Sequence, residues 1–149
     1  MTEIIKCTTD DFAELAAIWE RSVRATHGFI TGNDIAEIRQ LLESDYFPNV
    51  ELFALRDNSS IIGFIGLSSN RIEMLFIDSL KIGRGYGTVL IDYAKDKGAD
   101  EVDVNEQNQT ALKFYLNKGF EVISRDETDD AGRPYPILHL RLARHVRSQ

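Results

Sequence analysis

The stretch that decides the fold is IEMLFIDSLKIGRGYGTVLIDYAKDK, residues 72–97. It begins with a mostly apolar run, continues with glycines at 83, 85 and 87, and ends in apolar residues with a helical period. This order is typical of a strand, a turn and a helix. Because glycine lacks a Cβ atom, the main chain at these three glycines can take left-handed dihedral angles and let an anion approach its N–H groups closely. A helix that begins at this turn adds unpaired N–H groups and its dipole, so the stretch predicts a pyrophosphate site.

Two better-known glycine loops differ from this one. The P-loop ends in Gly-Lys-Ser/Thr, whereas Thr88 follows Gly87 directly. The dinucleotide-binding fingerprint places its third glycine one position later. The spacing therefore fits neither motif, and a plain connecting turn is the alternative interpretation of the loop taken alone.

Composition and charge narrow the class of protein. The chain has 149 residues, of which 43% are hydrophobic and 28% are charged, and its net charge is −7. These values predict one globular domain, residues 1–149, with a frayed basic tail at 144–149. The lack of a long apolar run predicts a cytoplasmic protein without membrane contact. The net negative charge argues against nucleic-acid binding and modestly favours a positively charged acceptor substrate.

Periodicity and turn signals supply the rest of an α/β fold. They predict the order strand, helix, helix, three strands, helix, strand, helix, two strands, the last strand at 135–142. Thr8 and Asp11 form a predicted capping box, and Thr31 to Asp34 form a second capping signal that introduces a helix, which stops before Pro48. Asn108 is expected to begin the last helix and Gly119 to end it. The predicted architecture is a mixed sheet of about seven strands flanked by about four helices.

Together these motifs resemble the GNAT superfamily of N-acetyltransferases, over nearly the whole chain. The resemblance is carried by the strand with Glu73, the loop 82–88, and Asn108, Ala111, Phe114, Tyr115, Gly119 and Phe120. Segments 25–27, 104–108 and 132–136 are similar to those of small bacterial acetyltransferases. The resemblance implies the GNAT, or acyl-CoA N-acyltransferase, fold, in which the central sheet splays beside the glycine loop. It also implies acetyl-CoA as donor, with its pantetheine arm in that gap, and no metal.

The same resemblance implies which residues bind the cofactor. They are Leu75, Phe76, Ile77, Ile82, Gly83, Arg84, Gly85, Tyr86, Gly87, Thr88, Asn108, Ala111, Phe114 and Tyr115. The family usually has Gln or Arg at the position of Ile82, where a charge-assisted hydrogen bond contributes roughly 1.5–3 kcal/mol. Lys81 and Arg84 flank this position and are candidates to compensate.

Three residues are candidates for catalysis. Glu73 is the candidate base, and partial burial is expected to raise its pKa; an exposed strand-edge carboxylate is the alternative. His27 is the rival base because histidine titrates near neutrality; a solvated or capping loop residue is the alternative interpretation. Tyr115 matches the family's tyrosine beside the cofactor sulfur, or is a core aromatic. A phenol lies about 1.5 pKa units above a thiol, so proton transfer is uphill by about 2 kcal/mol and hydrogen-bond donation suffices.

The predicted acceptor site consists of Trp19, His27, Phe29 and Tyr135. Trp19 is alternatively core and Tyr135 a turn-packing aromatic, while His139 is interpreted as structural. The lone Cys7 is interpreted as a small core residue, so the predicted reaction is direct acetyl transfer to a primary amine without an acyl-enzyme. A small amine, an antibiotic, a peptide N-terminus and a lysine all stay open as acceptors, as do a monomer and a homodimer. The other candidate functions are a catalytically silent CoA-binding sensor or interaction module and, less favoured, a nucleotide-phosphate binder.

Overall fold

The computed structural model describes residues 2–26, 28 and 30–143. The chain divides into two compact units, Met1–Ala99 and Asp100–Gln149, here called the N-terminal and the C-terminal unit. The predicted basic tail at 144–149 lies outside the described residues. Among the residues described, no helix combines the length and the apolar character that crossing a bilayer requires.

The N-terminal unit contains an antiparallel sheet and three α-helices within its described residues. Its elements are β1 (Thr2–Lys6), α1 (Phe12–Thr26), α2 (Gly32–Leu41), β2 (Glu51–Asp57), β3 (Ser60–Ser68), β4 (Arg71–Ile77) and α3 (Tyr86–Asp96). The strands pair in the order β1-β2-β3-β4, each antiparallel to its neighbour. The predicted order of elements is confirmed in this unit.

Local capping defines the helix starts as predicted. Thr8 and Asp11 form the capping box, and the Thr31 side chain accepts a hydrogen bond from the main chain of Asp34. The α-helix α2 ends before Pro48, as predicted, but other helical turns follow it and include Pro48. Beyond it, a π-helical turn (Leu42–Tyr46) and a 3-10 turn (Phe47–Asn49) continue the helical path. Proline is tolerated in the first turn of a helix, where no N–H is required.

The core of this unit lies between its sheet and the helices α1 and α2. Its buried residues are Leu15, Ala16, Ile18, Trp19, Val23, Ile35, Leu42, Phe47, Leu52, Ala54, Ile61 and Phe64. Helix α3 covers the opposite face of the sheet. Phe53, which alternates with the core residue Ala54 along β2, points to that face, and its ring centroid lies 5.1 Å from that of Tyr93 in α3. Helices on both faces were predicted, and this unit has them.

The described part of the C-terminal unit contains one helix and three strands. They are β5 (Glu101–Asn105), α4 (Gln109–Asn117), β6 (Phe120–Asp126) and β7 (Ile137–Leu142). The strand order is β5-β7-β6, with antiparallel neighbours. Gly119, at φ +96°, ends α4 in the left-handed region as predicted. β7 begins two residues later than predicted, because Tyr135 belongs to the preceding turn and donates its N–H to the carbonyl of Arg133 at 2.7 Å.

Candidate functional site

Glu73 lies at a β-bulge in β4. In the register with β3, Ile72 lies opposite Leu67, and Met74 lies opposite the preceding residue, Gly66. Two consecutive residues of β3 therefore face three of β4, and Glu73 is the extra one. Directly opposite residues share a face, so the bulge sends Ile72 and Met74 to opposite faces. Glu73 itself is exposed, so the expected partial burial is not found.

The end of β4 is packed closely against β3. Leu75, Phe76 and Ile77 are half-buried and lie opposite residues 63–65. A Cβ atom on Gly63 would lie 2.7 Å from the carbonyl oxygen of Phe76, so the close approach of the two strands requires glycine there. The Phe76 ring contacts Trp19 edge-on, with the ring centroids 6.5 Å apart. Trp19 is 4% exposed, which supports the alternative interpretation as a core residue, and its contact with an acceptor stays a prediction.

The loop between β4 and α3 has the predicted left-handed glycines at two of three positions. A 3-10 turn (Ser79–Lys81) leads into residues 82–85. Gly83 has φ +84° and Gly85 has φ +85°, whereas Gly87 lies inside the first turn of α3. Apart from each glycine and its immediate chain neighbours, no atom of the described residues lies within 4 Å of a Cβ built on Gly83 or Gly85. The main chain is therefore open to a ligand at these two residues.

Helix α3 begins without a side-chain cap. Gly85 is its N-cap residue, and the carbonyl of Gly85 accepts the first helical hydrogen bond from Val89 at 3.3 Å. The N–H groups of the first turn, Tyr86 to Thr88, have no acceptor inside the helix. The positive end of the helix dipole lies at the same place. This arrangement fits an anion such as a pyrophosphate.

The side chains around the loop include two cations. Ile82, at the position where the family usually has Gln or Arg, is 43% exposed. Lys81 is half-buried and Arg84 is exposed, and neither forms an ion pair with any of the described residues. Both charges are therefore available to phosphate groups.

Asp78, the first residue after β4, was missed by the sequence analysis. Its carboxylate accepts hydrogen bonds from Nε and Nη2 of Arg21 in α1, at 3.1 and 2.8 Å. The Arg21 guanidinium holds the pKa of Asp78 below its usual range. The two residues are 57 positions apart, so no local pattern indicates that they meet. The available signal was an acidic residue directly after an apolar strand.

In the C-terminal unit, the predicted cofactor residues lie together on α4. The Asn108 side chain accepts a hydrogen bond from the Ala111 N–H at 3.1 Å, which confirms the predicted cap. Phe114 is half-buried, one turn further along the helix. The first two turns of α4 therefore present Asn108, Ala111, Phe114 and Tyr115. Their contacts with a cofactor stay a prediction.

Tyr115 is almost fully buried among aromatic rings. It is 6% exposed, and its ring centroid lies 5.2 Å from that of Phe114 and 5.7 Å from that of Phe120. Both contacts are nearly perpendicular, the preferred geometry of an aromatic pair. Burial raises the pKa of Tyr115 well above its usual value, which corrects the expectation of an ordinary phenol. Tyr115 therefore stays protonated at physiological pH, and its hydroxyl group is available as a hydrogen-bond donor there.

The turn before β7 is organised by Asp129. Its Oδ1 accepts hydrogen bonds from the N–H groups of Ala131 and Arg133, at 3.0 and 2.8 Å. Tyr135 follows this turn and is 8% exposed. Its burial supports the interpretation as a turn-packing aromatic, and contact with an acceptor stays untested. His27 and Phe29, the other predicted acceptor residues, lie outside the described residues.

His139 of β7 connects three strands of the C-terminal unit. Its Nδ1 lies 2.6 Å from Asp103 Oδ1 on β5, and its Nε2 lies 2.7 Å from Asp126 Oδ2 on β6. The hydrogen bonds to Asp126 and then Asp103 raise the pKa of His139. Both ring nitrogens donate only when the ring is protonated. These contacts support the structural interpretation of His139.

Cys7 is unsuited to covalent catalysis. Burial, with smaller contributions from Asp11 and Glu14, raises the pKa of the Cys7 thiol to about 12. The thiol packs against the core and stays protonated near neutral pH. This agrees with its predicted role as a small core residue.

Comparison with known proteins identifies the family. A family model described as an acetyltransferase (GNAT) domain matches residues 26–136. The chain belongs to the GNAT acetyltransferase family. The match includes residues of both units, and it confirms the predicted family and the enzyme class.

The relatives of this GNAT chain include proteins similar over almost their whole length. The peptidyl-lysine N-acetyltransferase YjaB of Salmonella typhimurium is 39% identical over 142 residues, which cover 94% of this chain and 97% of that protein. The solution structure of apo-form YjaB from Escherichia coli matches with a TM-score of 0.88 and 36% identity, over 97% of this chain and 99% of that one. This likeness confirms the predicted GNAT fold class.

A more distant GNAT structure contains coenzyme A. The PaiA N-acetyltransferase of Thermoplasma acidophilum, in complex with coenzyme A, matches with a TM-score of 0.71 and 21% identity. The alignment covers 95% of this chain and 99% of that one. At this identity the likeness concerns the fold alone.

Proposed function

We propose that this chain transfers the acetyl group of acetyl-CoA to the side-chain amine of a lysine in a peptide or protein. The observation that carries this proposal is the likeness, over almost the whole length of both chains, to a relative named as a peptidyl-lysine N-acetyltransferase. The net charge of −7 supports it further, because an acidic surface attracts a lysine-bearing segment. We propose that residues of both units belong to one catalytic domain, because the family match includes both.

The loop before α3 supports acetyl-CoA as the donor. The open main chain at Gly83 and Gly85 and the uncapped helix start offer N–H groups to a pyrophosphate. Lys81 and Arg84 add two positive charges beside these groups. In this proposal they replace the polar side chain that Ile82 lacks.

The proposed reaction is a direct transfer. The neutral lysine amine attacks the thioester carbonyl carbon, so a C–N bond forms and the C–S bond breaks. Before this attack, Glu73 takes one proton from the lysine ammonium group through water, for which its exposed place in the bulge is suited. The nitrogen loses its second proton to solvent as the amide forms. Main-chain N–H groups near Leu75 to Ile77 stabilise the oxyanion.

The leaving thiolate accepts a hydrogen bond from the Tyr115 hydroxyl and takes its proton from solvent. Tyr115 keeps its own proton, as its raised pKa requires. The protonated Cys7 thiol supports a route without an acyl-enzyme. His27 is the alternative base.

A set of matched peptides tests the acceptor. One peptide has a blocked N-terminus and a single lysine, a second has arginine in place of that lysine, and a third has a free N-terminus and no lysine. We expect thiol release and an added acetyl mass with the first peptide alone. Transfer only to the free N-terminus, or only to small amines such as polyamines and aminoglycosides, would overturn the lysine assignment.

A catalytically silent CoA-binding sensor is the second candidate function, favoured by Ile82 in place of Gln or Arg. Calorimetry with acetyl-CoA, ATP and NAD, followed by turnover assays on the same preparation, separates the two. Binding of acetyl-CoA without transfer to any amine favours the sensor. Binding of ATP or NAD in preference to acetyl-CoA contradicts both proposals.

A further inference from the structure

We propose that Arg21 is a positioning residue for acetyl-CoA and acts through Asp78 on the loop that receives the pyrophosphate. This inference rests on the proposed use of acetyl-CoA. Arg21 lies on α1, whereas the loop follows β4, so the contact joins two elements that are distant in the chain. Both residues belong to the N-terminal unit.

Arg21 and Asp78 form a bidentate contact, in which two guanidinium nitrogens each donate to one carboxylate oxygen. Nε donates to Oδ1 at 3.1 Å and Nη2 donates to Oδ2 at 2.8 Å. The hydroxyl of Ser79 also lies 3.5 Å from Oδ1. A planar guanidinium that binds both oxygens determines the orientation of the carboxylate as well as its position. The Asp78 side chain is therefore held in one orientation.

The main chain of Asp78 is held on both sides. Its N–H donates to the carbonyl of Ile62 in β3 at 2.8 Å, which extends the ladder between β3 and β4 by one bond. Its carbonyl accepts from the N–H of Lys81 at 2.8 Å and so closes the 3-10 turn. Asp78 is thus the point where the loop leaves the sheet, and Arg21 secures that point from α1.

The rest of the loop has little packing of its own. Leu80 is 81% exposed and Ile82 is 43% exposed. Gly83 and Gly85 supply flexible backbone that faces open space. At the far end, Leu90 and Ile91 bury α3 against the sheet. The C-terminal end of the loop is therefore held by the packing of α3 against the sheet. Its N-terminal end is held by Asp78 and its ion pair with Arg21.

Loss of the contact between Arg21 and Asp78 lowers the fraction of molecules in which the loop has the conformation that binds acetyl-CoA. The apparent dissociation constant for acetyl-CoA is inversely proportional to that fraction. If about a tenth of the molecules have the binding conformation, acetyl-CoA binds about tenfold more weakly. Global stability changes little, because the Arg21 side chain is 51% exposed and ion pairs at that exposure contribute little. The loss should therefore appear in acetyl-CoA affinity and leave the unfolding transition nearly unchanged.

The test compares Arg21→Ala with Arg24→Ala, a matched control. Arg24 lies one turn further along α1, is 55% exposed and pairs with Glu20 at 2.8 Å. We expect Arg21→Ala to weaken acetyl-CoA binding by about tenfold in calorimetry and to raise KM for acetyl-CoA more than it lowers kcat. Arg24→Ala should bind like the wild type. Arg21→Lys should fall between, because an ammonium group cannot bind both oxygens in one plane.

A double-mutant cycle identifies the route of the effect. If Arg21 acts through Asp78, Arg21→Ala causes no further loss of affinity in an Asp78→Ala background. Asp78→Asn, which keeps the shape of the side chain, provides a second comparison if Asp78→Ala unfolds. Thermal midpoints of every variant show that the folded protein is being compared.

Three results would overturn the inference. If the wild type binds acetyl-CoA and Arg21→Ala binds it with the same affinity, Arg21 has no positioning role, and the proposed function is unaffected. Full additivity of the two substitutions removes the route through Asp78. Failure of the wild type itself to bind acetyl-CoA defeats the proposed function, and this inference with it.

Discussion

The substitution Tyr115→Phe removes one hydroxyl group and keeps the ring in place between Phe114 and Phe120. The buried ring retains its two edge contacts, so we expect the free energy of unfolding to change by less than about 0.5 kcal/mol. Any loss of activity then reports on the hydroxyl. This separation of packing from chemistry makes Tyr115 the most informative position for the proposed mechanism.

The size of the effect follows from the pKa of Tyr115. Proton transfer from an ordinary phenol to a thiolate is uphill by about 2 kcal/mol, and burial raises the pKa of Tyr115 and increases this cost. In the proposed mechanism Tyr115 contributes a hydrogen bond to a charged acceptor, which is worth roughly 1.5–3 kcal/mol. Since about 1.4 kcal/mol corresponds to a factor of ten, kcat should fall about 10- to 100-fold.

The assay is the initial rate of thiol release at saturating lysine peptide, as a function of acetyl-CoA concentration and pH. We expect kcat to fall while KM for acetyl-CoA stays the same, because the bond strengthens as charge develops on sulfur. We also expect no loss of wild-type kcat from Tyr115 ionisation below about pH 10.

The control is Tyr93→Phe in α3, whose ring packs on Phe53. We expect this variant to keep the wild-type kcat. A kcat of Tyr115→Phe within about twofold of the wild type would refute the donor role. A basic limb of the wild-type pH profile that disappears in Tyr115→Phe would show that Tyr115 ionises in the working range, against the burial argument.

Three further substitutions address the base, a histidine contact and the strand packing. Glu73→Gln should fold normally, because the side chain is exposed, and should lower kcat/KM about a hundredfold or more near neutral pH; unchanged kinetics would assign the proton to another acceptor such as His27. The raised pKa of His139 implies a stability contribution that is complete below about pH 6.5 and is lost as pH rises through the folded-state pKa. His139→Asn should therefore cost about 1 kcal/mol in urea unfolding at about pH 6 and less at about pH 9; an equal cost at both would contradict protonation of the ring. Gly63→Ala should lower the unfolding free energy by about 1–3 kcal/mol, because its Cβ would lie 2.6 Å from the Ile77 side chain and 2.7 Å from a main-chain oxygen of β4; an unchanged urea midpoint would mean that the strands separate freely.

The sequence by itself determined the features that depend on neighbouring residues. The cap at Asn108 and the left-handed ends at Gly85 and Gly119 involve atoms within about four positions of each other. Such features need no partner from elsewhere in the chain. The order of helices and strands follows for a related reason, since hydrophobic period and turn residues are local properties.

Only the tertiary structure decided the features that depend on residues brought together from different elements. The bulge at Glu73 depends on the register between β4 and β3, which the sequence of β4 alone does not specify. The prediction that Glu73 is partly buried was wrong for this reason. Burial of Tyr115 and the contact of Arg21 with Asp78 likewise need the folded chain. Hydrogen-bond geometry and desolvation are set by the atoms that surround a group in space, and a linear pattern does not contain their positions.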